Sequence, residues 1–159
     1  MNQDIQIQAN LKLAEKICKQ HGVLLTKKRG QVLTLLLITD KALSAYELIE
    51  AFKTHFNEVL LPMTAYRTLE FLEGKQLAHR LNIANKYVAC AHIGCTFSHK
   101  LPCFLICQKC LRVDELNNNT GNNLSDLTDK AKQTGYQLSS PQIELNGICN
   151  TCLSAHNNC

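Results

Sequence analysis

Apolar residues recur at helical spacing through the first eighty residues, and the pattern then changes to alternation. Leu11, Leu13, Ala14, Ile17 and Cys18 mark one helix, which ends at Gly22. Thr26 is placed as the N-cap of a second helix running through Val32, Leu33, Leu36 and Leu37. Ser44-Ala45-Tyr46-Glu47 has the spacing of a capping box, and the helix it opens presents Leu48, Ala51 and Phe52. Leu61-Pro62-Met63-Thr64 punctuates the chain before a fourth helix, which carries Ala65, Leu69, Phe71 and Leu72 and stops near Gly74. Residues 77–81 and 87–90 alternate as two strands about a turn at 82–85. Short helices followed by a hairpin are the order of a winged helix-turn-helix, with the hairpin as the wing.

Beyond residue 90 the pattern differs. Phe104-Leu105-Ile106 is a short buried-strand run, and 113–116 is its expected partner. Asn117 to Asn123 is a polar loop. Leu124, Leu127 and Ala131 predict a helix ending at Gly135, and 136–145 predicts a final strand pair broken by Pro141. The expected fold class is therefore α+β: an N-terminal winged helix-turn-helix domain over residues 1–84 and a C-terminal α/β domain over 85–159. The small sheet's open edge suits pairing with a second copy, so the second domain is the candidate dimerisation domain.

Composition sharpens this division. All nine Cys except Cys18 fall in the second part. Net charge is +4, of which residues 1–84 hold +3 (11 Lys/Arg against 8 Asp/Glu). That is a modest excess, compatible with nucleic-acid binding without demanding it. Met1-Asn2-Gln3-Asp4 carries no basic n-region and no apolar h-region, and the longest apolar stretch, Val32 to Ile38, is too short to span a bilayer. The expectation is a reducing cytoplasm with no membrane partner, where clustered Cys favour metal over disulfides.

The chemistry is concentrated in two C-x-x-C pairs, Cys107/Cys110 and Cys149/Cys152. Four thiols brought together supply four soft ligands at tetrahedral spacing, as a closed structural zinc site needs. The alternative is disulfides or redox-active thiols, although nine Cys is an odd number and leaves one thiol over in an all-disulfide monomer. A second candidate set is His79, Cys90, His99 and Glu115, whose one thiolate and one carboxylate would neutralise a dication. The thiolate favours zinc over ferrous iron or manganese. His92, Cys95 and Cys103 are possible extra ligands.

The fourth helix is the candidate recognition helix, because such a helix offers its N-terminal side chains to the major groove. Arg67 can fork onto guanine O6 and N7, Tyr66 can touch a phosphate or a thymine methyl, and Thr64 can bond a phosphate. Lys27, Lys28 and Arg29 crowd the first turn of the second helix and oppose its dipole, so an outside anion is expected there. Enzyme signatures are absent: no H-x-E with P-C-x-x-C, no H-E-x-x-H, no G-x-S-x-G and no P-loop.

Taken together, Leu25-Thr26-Lys27-Lys28-Arg29, Ser44-Ala45-Tyr46-Glu47-Leu48, Thr64 to Leu72, Ile106 to Cys110 and Gly147 to Cys152 resemble the ferric uptake regulator family, most of all its zinc-sensing branch. The resemblance spans roughly residues 11 to 152. It implies a homodimer with a winged-helix DNA-binding domain, in which zinc is corepressor at promoters of zinc uptake genes. It assigns Cys107, Cys110, Cys149 and Cys152 to structural zinc, and His79, Cys90, His99 and Glu115 to regulatory zinc. It places Tyr46, Tyr66 and Arg67 facing DNA. Thr96-Phe97-Ser98-His99-Lys100 holds one His where the iron-sensing branch has a His-rich run, which argues against the alternative of an iron- or peroxide-responsive regulator. Leu111 departs from the pattern, standing where the family usually has Gly. The mechanism expected is metal tying wing to dimer domain about a hinge near Ala84-Asn85-Lys86.

Overall fold

The computed structural model of the chain describes residues 2–39, 41–94, 101–116, 123–139 and 142–154. The chain divides into two compact units, Met1–Cys95 and Thr96–Cys159.

In the first unit, α1 (Asn2–Gln20), α2 (Lys27–Ile38), α3 (Ala45–Phe56) and α4 (Pro62–Gly74) precede the hairpin β1 (Ala78–Leu81) and β2 (Lys86–Ala89). Helix α1 begins two turns before the expected Leu11, and Ile7 joins Ala14 and Cys18 on its buried side. Gly22 follows it at φ +69, a conformation that costs glycine little. Thr26 holds the N-cap position of α2, but its side chain makes no capping hydrogen bond. At α3 the capping box is complete: the Glu47 amide donates to Ser44 Oγ and the Ser44 amide donates to Glu47 Oε2. Pro62 opens α4, where a missing N–H costs nothing.

The helices bury one apolar core. Val32, Leu33, Leu36, Leu48, Phe52, Leu69 and Leu72 are all enclosed, and Leu77, Tyr87 and Cys90 extend the core to the hairpin. The hairpin is antiparallel, with His79 opposite Val88 and Leu81 opposite Lys86. Residues 84–86, singled out above as a hinge, form the end of its turn and the start of β2. The expected domain boundary at 84 falls inside the hairpin, whereas the first compact unit continues to Cys95. Leu43 bridges to Tyr87 through two backbone hydrogen bonds of 2.8 and 2.9 Å, so the wing is stitched to the segment entering α3.

The second unit holds β3 (Cys103–Cys107), β4 (Val113–Leu116), α5 (Asn123–Gln133), β5 (Ile143–Gly147) and the short α6 (Asn150–Ser154). The strand order is β4-β3-β5. β3 and β4 are antiparallel, while β3 and β5 are parallel with Cys107 opposite Gly147. The sequence predicts a strand pair over 136–145; among the described residues of that stretch there is a single strand, β5, beginning at Ile143. The preceding residues 136–139 carry exposed Tyr136 and Leu138 and no strand pairing. Among the described residues, no helix is long and apolar enough to cross a membrane.

Candidate metal centres and nucleic-acid face

The four cysteines of the C-x-x-C pairs are brought together by strand register. Cys107 is the last residue of β3, and the turn that follows carries Cys110. Because β5 runs parallel to β3 with Gly147 opposite Cys107, the chain leaving β5 passes the same sheet end, delivering Cys149 and then Cys152 on α6. All four sulfurs lie within 4.8 Å of one another. Cys110 Sγ is 3.7 Å from Cys149 Sγ, and the Cys149 amide donates to Cys107 Sγ at 3.4 Å. The Gln108 amide donates to the Gly147 carbonyl at 2.9 Å, pinning the first knuckle to the second.

The electrostatics divide the four thiols. Amide donation from Cys110, then from Cys149, stabilises the Cys107 thiolate and holds its pKa down to about 6. The Cys152 amide lowers Cys149 similarly. Cys152 is pushed up to about 12, chiefly because it shares a proton with Cys149. Cys107 thus favours the thiolate form, and the other three sulfurs lie within 4.8 Å of it. That donor set fits a tetrahedral thiophilic cation such as zinc.

The knuckle turn explains the departure at Leu111. Its φ is +61, and its amide donates to the Cys107 carbonyl at 2.9 Å. A left-handed residue closes this turn, which is why glycine suits the position and leucine is strained there.

The second candidate set is only partly described. His79 on β1 is buried, and Cys90, just past β2, is fully buried with its amide donating to the Leu77 carbonyl at 3.0 Å. Their ligand atoms lie within 4.8 Å of each other. Glu115 is half-buried on β4, in the second unit, opposite Phe104. His99 lies outside the described residues, as does Cys95. Cys103 starts β3 and is buried, and burial pushes its thiol up. Among the described residues, neither Cys103 nor His92 joins a grouping of three or more metal-binding side chains.

The candidate DNA-facing residues lie on the first unit. Ala65, Thr68, Leu69 and Leu72 form the buried side of α4, while Tyr66 and Arg67 are exposed and Thr64 is half-buried. Tyr46 is exposed at the second position of α3. Two of the three cations at the head of α2 find an internal anion that the sequence pattern does not signal. Lys27 Nζ lies 2.9 Å from Glu58 Oε1 and Lys28 Nζ 3.6 Å from Glu58 Oε2, which holds the Glu58 carboxyl below its ordinary range. Arg29 turns inward, donating to the Leu24 carbonyl at 2.9 Å and stacking 3.6 Å over the Phe71 ring.

The sequence profile of the Ferric uptake regulator family matches residues 20–146. The chain belongs to the ferric uptake regulator family. Among other members, the zinc uptake regulation protein of Escherichia coli (strain K12) is 34% identical over 141 residues, which is 88% of this chain and 79% of that protein. Among solved structures, a zinc uptake regulator complexed with zinc and DNA is similar with a TM-score of 0.83 at 31% identity, covering 95% of this chain and 97% of that one. The crystal structure of holo XcZur is similar with a TM-score of 0.76 at 31% identity, covering 91% and 96%. Membership makes this a family of transcription regulators rather than enzymes, in agreement with the missing catalytic motifs.

Proposed function

We propose that this ferric uptake regulator family member is a zinc-responsive transcriptional repressor. It acts in the cytoplasm as a zinc-loaded homodimer that binds double-stranded promoter DNA and represses zinc uptake genes. The observation that carries the reading is its likeness, along nearly the whole chain, to a regulator solved with zinc and DNA.

Two zinc ions per chain are assigned. Cys107, Cys110, Cys149 and Cys152 would hold the structural one, and His79, Cys90, His99 and Glu115 the regulatory one. Bound zinc supplies a cross-link among side chains distant in sequence. The protein's own residues do the rest. Cys90 and His79 must give up protons to act as ligands, so acid weakens the response. The sulfur of Cys90 biases the second set toward zinc and away from ferrous iron.

On the DNA side, Arg67 forks onto guanine, Tyr66 and Tyr46 meet the groove wall, and Thr64, Lys27 and Lys28 meet phosphates. Arg29 serves indirectly, since it is engaged with Leu24 and Phe71 and steadies α2 against α4. DNA binding falls with added salt as phosphate counterions are released.

The test is DNA binding at buffered free zinc, with the Cys90→Ser protein alongside. Expected are zinc-dependent binding by the native protein and loss of that dependence in Cys90→Ser, with dimer and structural zinc retained. Full DNA affinity in chelator-treated protein that is still folded would overturn the reading. Ferrous iron outperforming zinc at matched free concentration would favour an iron-responsive regulator.

A further inference from the structure

The exposed face of α4 is centred on a residue that the functional reading leaves idle. At about 100° per residue, Ala65, Thr68, Leu69 and Leu72 occupy one arc of the helix, and that arc is buried. The opposite arc holds Met63, Tyr66, Arg67 and Glu70, all exposed. Met63 lies near its middle, in the first turn, and is 62% exposed against 40% for Tyr66. An isolated exposed apolar side chain needs no explanation. Met63 is not isolated, because Val59 and Leu61, just before it, are also well exposed. The first turn of α4 has no acidic residue.

Charge at this corner says what kind of surface the apolar residues meet. Lys28 Nζ reaches the Val59 carbonyl at 3.5 Å, and Lys27 pairs with the neighbouring Glu58. Two exposed lysines therefore flank an apolar run at the head of a helix. Phosphates beside an apolar group are what the DNA major groove offers, where the thymine C5 methyl projects from the base edges. Methionine suits such a contact, being unbranched and polarizable enough to settle against a small methyl.

We propose that Met63 is a specificity-determining residue that reads a thymine methyl in each half-site. The proposal rests on the DNA-binding function above. Met63 makes an apolar contact beside the polar contact of Arg67 and so favours an A·T pair at one operator position. Its effect is on sequence preference, whereas Lys27 and Lys28 act on all sequences alike.

The experiment uses the zinc-loaded full chain and a duplex that it selects from a random pool. Each thymine is replaced singly by deoxyuracil, which deletes only the methyl. The native protein should lose about fourfold in affinity at one symmetric position, the worth of one methyl taken out of water. Met63→Gln, which removes the contact from both half-sites, should bind the thymine duplex about sixteenfold more weakly and show no further loss at that position, while Tyr66→Ala should retain the loss there. Zinc content and melting temperature of Met63→Gln should match the native protein, since the side chain is exposed. If every deoxyuracil effect survives in Met63→Gln, the proposal is overturned while the repressor reading stands. If no duplex is selected in a zinc-dependent way, both fall.

Discussion

At Leu111 the backbone sits at φ +61, a region where a side chain costs about 1–3 kcal/mol and glycine costs little. Leu111→Gly should therefore stabilise the second unit by about 1 kcal/mol, after allowing for the greater freedom glycine has when unfolded. The denaturant midpoint of zinc-loaded protein measures this, and an unchanged or lower midpoint would mean that the exposed leucine makes compensating contacts. Glu47 allows a pH test. Its Oε1 lies 2.9 Å from Lys86 Nζ while its Oε2 accepts the Ser44 amide, and with Lys86 as the leading cause its pKa falls from 4.5 to about 2. A lowered carboxyl pKa adds stability that is present above the unfolded value of 4.5 and is lost as pH falls toward about 2. Glu47→Gln should cost about 1 kcal/mol at neutral pH, a figure already discounted for the solvent exposure of the pair, and nothing near pH 2. A pH-independent cost would point to capping alone. Ser44 and Glu47 are readable in sequence because both partners lie within one turn. Glu58 is not, because the cation it meets, Lys27, is 31 residues away.

Elements follow the same rule of distance. Helices α2 to α4 and the hairpin are legible because their apolar spacing is local, and α4 begins at Pro62 and ends at Gly74, where the punctuation predicts. The entry to β5 is not legible. Leu138 and Tyr136 have strand-like character, yet pairing with β3 starts only at Ile143, and which residues pair is set by a parallel neighbour some forty positions earlier. The C-x-x-C spacing names the four thiols without revealing that this parallel register is what brings them together. For α4 the decisive quantity is burial. Leu69→Ala removes a fully enclosed side chain from the helix that carries Arg67, and should destabilise the first unit by about 2–5 kcal/mol in chemical denaturation. A cost below about 1 kcal/mol would show that the core refills the space.

At the scale of the molecule, the two units have different sources of stability. The first buries a continuous core from Ala14 to Ile93, while β4 and β5 of the second leave Leu116 and Leu145 exposed. In the zinc-loaded homodimer proposed above, a small sheet of this kind would lean on the metal and on the partner copy. Chelation, or Cys149→Ser, should remove one zinc per chain and render residues 96–159 protease-sensitive, while the helical circular dichroism of the first unit persists. Metal analysis paired with limited proteolysis reads both, and equal loss of both units would refute separate stabilisation.

The parallel placement of β5 beside β3 also has a consequence for synthesis. Cys107 waits for a neighbour made some forty residues later, so the thiol cluster cannot close until Cys152 has been translated. The first unit, by contrast, has every residue of its core by Ile93 and can fold while the ribosome is still working. A nascent chain halted between the two Cys pairs would thus carry the complete core of the first unit with the thiol cluster still unformed.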